Sequence, residues 1–471
     1  MKMYKYVIAI FLMFFNISCD KFLDVGDPQD KIVARYVYRS NTSAAAAMTG
    51  VYYDLVQKTS FSQGVSGVSI SCGAAADELT VYPTSGLMNF YTNYIDIGSG
   101  GGFWASLYKF IYKVNAIIDG VTRSTTLSDN VKRHLLGEAK FVRAFCYFYL
   151  VNLYGDVPLL ITADYRENQS SPRVSVAQVY KQILSDLNEA KLLLSEEYLD
   201  ANVISTTYER LRPNKWAAAA LLARVYLYIG DWENAINESN DVINNKELYD
   251  TVPLSDVFLK NSKESIWQLQ PMYNNPDATY YGTFDARVFV LERDPNEREN
   301  PAWISDFLIN AFESGDNRLN TWVRRYSSAT QVYNYPFKYR QNKLEGDKSE
   351  YLSVIRLSEL YLIRSEAKAV LGLLEDAKSD LNIIRRRAGL QPILVNNADL
   401  ILDRILHERQ VELFAEWGHR WMDLKRNKLV DGVMMKVSPK KGSEWSSYRA
   451  LFPIPERDLR LNPSLKQNQG Y

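Results

Sequence analysis

Ile229-Gly230-Asp231-Trp232-Glu233-Asn234-Ala235 and, far along the chain, Leu371-Gly372-Leu373-Leu374-Glu375-Asp376-Ala377 spell the same local instruction twice. Each stretch follows a helix rich in Ala and Leu, breaks at a glycine, and returns as a second helix with one apolar stripe. In the first copy the outgoing helix runs from Lys215 to Ile229 after Pro213, and the returning one from Trp232 to Ile243. In the second copy Leu374, Ala377, Leu381 and Ile384 form the returning stripe. A small residue where helices approach, a glycine at the turn and an alanine in the returning helix are what a tetratricopeptide-like hairpin needs. The spacing predicts two such hairpins.

Working outward, the flanking segments are helical too. Leu107, Ile111, Val114 and Ile118 recur at steps of four, three and four, which predicts an amphipathic helix from Phe103 or Trp104. Gly137 to Leu153 is apolar nearly all round, so a central buried helix is expected, ending before Gly155 and Pro158. Ser175 with Gln178 predicts a capping-box start to a helix carrying Val176, Tyr180, Ile183, Leu187, Ala190 and Leu194 on one face. The expected scaffold therefore covers mainly 103–248 and 351–430. Two stretches break the rhythm, 60–102 and 249–350. They are crowded with Tyr, Trp, Asn, Asp and Gly, and loops of this kind carry function.

The 471 residues hold 55 Lys+Arg against 55 Asp+Glu, so no global charge draws the chain to a polyanion and nucleic acid is a poor candidate partner. Hydrophobic residues at 46% and charged ones at 23% describe a folded globular protein. Tyrosine is in excess, 32 against 19 Phe, and a ring with a hydroxyl suits a surface that is apolar on its face and wet at its tip.

Lys2 and Lys5, the apolar run Val7 to Phe15, and Asn16-Ile17-Ser18-Cys19 form a secretory signal over 1–18, too short to span a bilayer. Cys19 stands where bacterial lipoprotein signals are cut and the new N-terminal cysteine is acylated, although Asn16 replaces the usual Leu. Cys72 and Cys146 are too few to staple a scaffold, and Cys146 lies in the apolar run Phe141 to Leu150, as a buried free thiol would.

No enzyme constellation assembles. There is no nucleophile elbow, Walker loop or zinc-protease helix, and the glycines Gly98 to Gly102 lack the Lys-Ser or Lys-Thr of a phosphate cradle. His134, His407 and His419 are scattered without metal-ligand spacing. Asp77-Glu78 is the single candidate carboxylate pair. Adjacent side chains usually diverge, so the pair reads as hydrogen-bonding or calcium-binding groups rather than glycosidase acids.

A longer set of ordered motifs carries a family resemblance. Cys19-Asp20-Lys21-Phe22-Leu23-Asp24 after the signal is joined by Trp104-x3-Tyr108-x2-Ile111-x3-Asn115, by Gly137 to Phe145, by Leu153-Tyr154-Gly155-Asp156-Val157-Pro158, and by Ala217 to Ala235. Arg356 to Ala367, Ile384 to Leu390, Glu408-Arg409, Glu412-Leu413, Glu416, Gly418-His419-Arg420-Trp421 and Asp423-Leu424 follow, with Phe452-Pro453-Ile454-Pro455 and Gln467 to Tyr471 at the end. In order and spacing the chain resembles the SusD/RagB family of outer-membrane nutrient-binding lipoproteins over nearly all of 19–471. The resemblance implies a single, mostly α unit, the SusD-like fold, with tetratricopeptide-like hairpins as scaffold and long loops as ligand face. It also implies a surface-exposed, outer-membrane protein, lipid-anchored through Cys19, that binds oligosaccharide or polysaccharide and delivers it to a SusC-like TonB-dependent transporter without catalysing any reaction. Some family members serve peptide uptake instead, and that is the alternative reading.

Two structural expectations accompany this. The motif charges, such as Glu416 and Arg420 four apart, should form ion pairs between packed helices. Trp104, Trp216, Trp232, Trp417, Trp421 and His419 should pack rather than bind. A sugar needs flat rings for its C–H face and Asn, Asp, Gln or Arg for its hydroxyl rim. From the first irregular segment this selects Asp77, Tyr82, Tyr91 and Tyr94. From the second it selects Tyr273, Tyr280, Tyr281 and Trp322, with Asn274 or Arg287 as polar partners. No cofactor or metal is expected, calcium being left open.

Overall fold

Ser40 accepts the Ser43 amide and so starts the first long helix, α1 (Asn41–Leu55), whose inward positions Ala44, Ala45, Met48, Val51 and Leu55 are all buried. The computed structural model describes residues 34–56, 61–271, 282–329, 331–342 and 349–471. Helix α2 (Val68–Ala75) is buried at every position and leads into the short strand β1 (Leu79–Val81). The helix expected from Phe103 is α3 (Phe103–Arg123). The central buried helix is α4 (Asp129–Tyr154), eight residues earlier in its start than the apolar run alone suggested, because its first two turns are polar outside yet still bury Val131, His134 and Leu135. β2 (Val157–Pro158) and β3 (Arg173–Val174) pair, and the Ser175–Gln178 capping box opens α5 (Val176–Leu193).

The two echoing hairpins form as read. In the first, α6 (Lys215–Ile229) ends at Gly230, φ 77°, and Asp231 caps α7 (Trp232–Ile243). Four consecutive buried alanines, Ala217 to Ala220, let α6 lie close to α5 and α7. After β4 (Ser265–Leu269), α8 (Phe284–Phe289), β5 (Ala302–Ile304), β6 (Val323–Ser327), β7 (Val332–Pro336) and β8 (Leu352–Arg356) comes the second hairpin, α9 (Leu357–Val370) and α10 (Leu374–Arg387), turned at Gly372, φ 77°. Helix α9 packs directly on α7, so the two hairpins are one stack, which α11 (Ala398–Glu412) and α12 (His419–Arg426) continue. One contiguous hydrophobic core runs from Ala44 to Ile454. The protein is mostly helical, and its strands are short antiparallel pairs. The stack is consistent with a tetratricopeptide-like scaffold.

Within this core the motif charges pair, but not with the partners that helical spacing suggests. Glu416 does not meet Arg420. It takes Arg356 at 2.7 Å and Lys338 at 2.5 Å, while Arg420 forks onto Asp77 at 2.7 and 2.8 Å. Arg356 also binds Glu264 and Glu412, and Arg318 binds Asp316, Glu408 and Glu412. Apart from the partly exposed Arg420 these groups are buried, and Arg387, Arg356 and Arg318 hold Glu412 well below the usual carboxylate range against the cost of burial. Arg224 likewise forks onto Glu359, whose pKa falls to about 2. His419 is buried beside that pair and its pKa is pushed down to about 4 by burial, so it packs as a neutral ring. Trp104, Trp417 and Trp421 are core residues, while Trp216 and Trp232 lie half-buried against the core. Cys72 and Cys146 are buried free thiols.

Candidate functional site

The two irregular segments meet in a small sheet. β1 and β5 pair antiparallel with Leu79 opposite Ile304, Thr80 opposite Trp303 and Val81 opposite Ala302. Strand alternation then sorts the side chains. Leu79, Val81, Ala302 and Ile304 are buried, whereas Thr80 and Trp303 are half-exposed on the opposite face. The Tyr82 amide extends the ladder by donating to Pro301 O at 2.8 Å, which puts the Tyr82 ring two residues on from Thr80, on the same outer face. Tyr91 approaches from the helical turn Met88–Tyr91, its hydroxyl hydrogen-bonded to Thr80, and burial pushes that phenol up.

The other side of Trp303 is walled by the β6–β7 hairpin. Tyr333 meets the Trp303 ring edge-on, centroids 5.1 Å apart at 79°. Tyr326 is the cross-strand partner of Tyr333, with rings 6.5 Å apart. Both pack on a small separate cluster of Val290, Leu291 and Tyr335. Tyr82, Tyr91, Trp303, Tyr326 and Tyr333 thus form a half-exposed aromatic platform. At the Pro301 end of the strand pair a cavity of about 410 Å³, which includes none of the five rings, runs from Glu297, Arg298 and Ser85 in to Phe61 and Ser71, with the Thr84 hydroxyl donating to Glu297. Ring faces next to hydroxyl, carboxylate and guanidinium groups are what a sugar ring with an apolar face and a hydroxyl rim requires.

A larger cavity of about 490 Å³ lies elsewhere, between α1, residues 199–212 and the end of β4, and shares no lining residue with the platform side. Its wall is a structural network. Arg212 is held by Glu138 at 2.6 Å and by Thr49, and Tyr52 donates to the same Glu138.

The expected site residues part company. Tyr82 and Tyr91 stand on the platform. Tyr94 is exposed, but the Arg449 guanidinium lies 3.5 Å over its ring and occupies that face. Asp77 is a correction: it is buried, and its carboxylate is spent on Arg420, which together with a backbone hydrogen bond and Lys441 holds its pKa below the usual range in spite of burial. Glu78 diverges from it toward the Ala415 amide, its pKa raised to about 8 first by burial and then by Asp77. Trp322 is a second correction. It is 0% exposed, its indole N–H donates to Leu254 O, and its ring is enclosed by Phe258 and the Lys338 ammonium, so it presents no face to a ligand. Arg287 is half-buried on α8. Tyr273, Asn274, Tyr280 and Tyr281 lie outside the described residues. Trp303, Tyr326 and Tyr333 were not selected from the sequence as binders. The alternation in Val332-Tyr333-Asn334-Tyr335 after a four-residue turn is a hairpin signal that could have found two of them. Among the described residues no cluster of three or more His, Cys, Asp or Glu could hold a metal ion.

Comparison with known proteins agrees with this architecture from both ends of the chain. Residues 21–227 match the model of a family described as "Starch-binding associating with outer membrane", and residues 309–471 match that of the SusD family. The chain belongs to the SusD/RagB family. SusD-like protein P25 of Formosa agariphila is 25% identical with both chains fully covered. Starch-binding protein SusD of Bacteroides thetaiotaomicron is 21% identical over 75% of this chain and 74% of its own. Among solved structures, a SusD superfamily protein from Bacteroides vulgatus superposes with a TM-score of 0.77 at 22% identity, covering 92% of this chain and 100% of that one. A laminarin binding SusD-like protein gives 0.72 at 24%, covering 92% and 100%. These likenesses establish the SusD fold. Family membership places this SusD-family protein among binding proteins that associate with the outer membrane. Among the described residues no helix is long and apolar enough to cross a membrane.

Proposed function

We propose that this SusD-family protein is a glycan-capturing lipoprotein of the cell surface. It collects oligosaccharide or polysaccharide on the platform around Trp303 and delivers it to a SusC-like TonB-dependent transporter, held at the outer membrane by a lipid on Cys19. The observation that carries this reading is the outward row Tyr82, Tyr91, Trp303, Tyr333 and Tyr326 where the two irregular segments meet. A ring face stacked on a sugar's C–H face removes apolar area from water on both sides, and nearby polar groups replace the hydroxyls' water. Binding and release are all that delivery asks, so no reacting group is needed.

The test is a panel of polysaccharides, with soluble starch and laminarin first because relatives carry those names, alongside a panel of peptides. Calorimetry on wild type and Trp303→Ala should show glycan binding in the first and a loss of roughly 1.4–3 kcal/mol, tenfold or more in Kd, in the second. Binding of peptides and of no glycan would move the protein to the peptide-importing branch. Release of sugar products would make it an enzyme.

A further inference from the structure

The aromatic platform is held from behind by a residue of the C-terminal segment. Lys441 closes the one-turn helix Ser438–Lys441, and its side chain is buried among groups that belong to the platform's supports. Its ammonium donates to Ala74 O at 2.6 Å and to Ala76 O, with Ala75 O at 3.4 Å. Those are the last carbonyls of α2 and its cap, which have no intrahelical partner and carry the negative end of the helix dipole. From them the chain runs straight through Asp77 and Glu78 into β1. The same ammonium lies 4.8 Å from the ring centroid of Tyr91, whose hydroxyl meets Thr80 on the outer face. Asn93 ties the turn that carries Tyr91 to the same place by donating to Ala75 O. One residue earlier, Lys440 lies over Phe307, just past the end of β5. The segment is itself anchored, because Trp445 donates to Asp431 and packs edge-on against Trp421.

We propose that Lys441 is a positioning residue of the glycan platform. It touches no outward face itself, and it sets the angle at which Tyr91 and β1 present Thr80 and Tyr82 beside Trp303. A ring platform works only when its faces are held to within about 0.5 Å and 10–20°. One ammonium bridging the end of α2 and the Tyr91 ring supplies that constraint. The inference rests on the glycan reading of the platform.

Lys441→Met keeps an unbranched apolar stem and removes the ammonium and its donors. With laminarin and soluble starch as probes, affinity measured well below the unfolding temperature should fall about tenfold, as expected for a displaced rather than deleted platform. Leu381→Ala, in the buried stripe of α10, is the control for lost stability alone and should leave affinity unchanged. Since Lys441→Met could fail to fold, wild type supplies a second readout. Saturation with the bound glycan should slow hydrogen exchange in 434–446 together with 73–82. Wild-type affinity in a folded Lys441→Met, or exchange in 434–446 indifferent to glycan, overturns the role of Lys441 alone. A wild type that binds no polysaccharide of the panel overturns the glycan reading and this inference with it.

Discussion

Trp303 and Trp322 come from the same irregular insertion and end in opposite environments. Trp303 sits on the outer face of β5 with Tyr333 against its edge, and Trp322 is sealed under Phe258 and the Lys338 ammonium. The two rings should therefore answer differently to the same truncation. Trp322→Ala leaves a cavity in the core and should lower stability by about 3–5 kcal/mol, read as a drop in unfolding temperature, while the protein that remains folded keeps its glycan affinity. Trp303→Ala should do the reverse, with thermal unfolding nearly unchanged and binding lost. Which ring faced out was not readable locally. It is decided by the register of β5 against β1, a strand more than two hundred residues earlier, and by a hairpin folded over one side. Tyr82 and Tyr91 are legible only as rings of the irregular segment 60–102, since nothing local marks the strand beside them. Nothing local marks Asp77 as a paired group, because its partner, Arg420, sits at the far end of the chain.

At the scale of elements, the helical hairpins were legible and the ion pairs were not. A cap, a stripe and a turn glycine are all written within a few residues, which is why α6 and α7 occupy the positions that the periodicity predicts. Gly230→Ala places a Cβ at φ 77° and should cost about 1–2 kcal/mol in denaturant unfolding, with no effect on glycan affinity. Charge pairing, by contrast, joins distant elements. Helical spacing offered Glu416 to Arg420, and tertiary packing instead gave Glu416 to Arg356 and Lys338 across β8 and the loop after β7. Removing one member strands the others without water. Arg356→Ala, which leaves Glu264, Glu412 and Glu416 short of a shared cation, should destabilise by about 3–5 kcal/mol.

Across the whole molecule these buried charges set a pH profile. Glu359 has a folded pKa of about 2, and Asp77, Glu138, Glu412, Glu416 and Asp423 are also lowered, so the unfolded chain binds more protons than the folded one as acid is added. Their stabilisation is complete above the ordinary carboxylate range and is lost as pH falls from about 4.5 toward 2, with Glu359 alone accounting for roughly 3 kcal/mol. Glu78 runs the other way. Its pKa is about 8, so between the ordinary value of 4.5 and 8 the folded state keeps a proton that the unfolded state has given up, and stability declines as pH rises through that window. Asp285, its pKa raised to about 7 by burial, adds to the same decline, so Glu78→Gln should remove part of it and leave the Asp285 share, which thermal unfolding at pH 5 to 8 would record. The same scaffold that carries these charges places two loop segments edge to edge, and the central claim is that their shared outer face binds sugar. The most direct measurement is calorimetry of the mature protein against a polysaccharide panel, wild type beside Trp303→Ala. The account predicts one glycan class bound by wild type without turnover and at least about tenfold more weakly by the variant. Equal binding by both proteins, each with an intact unfolding transition, would contradict it.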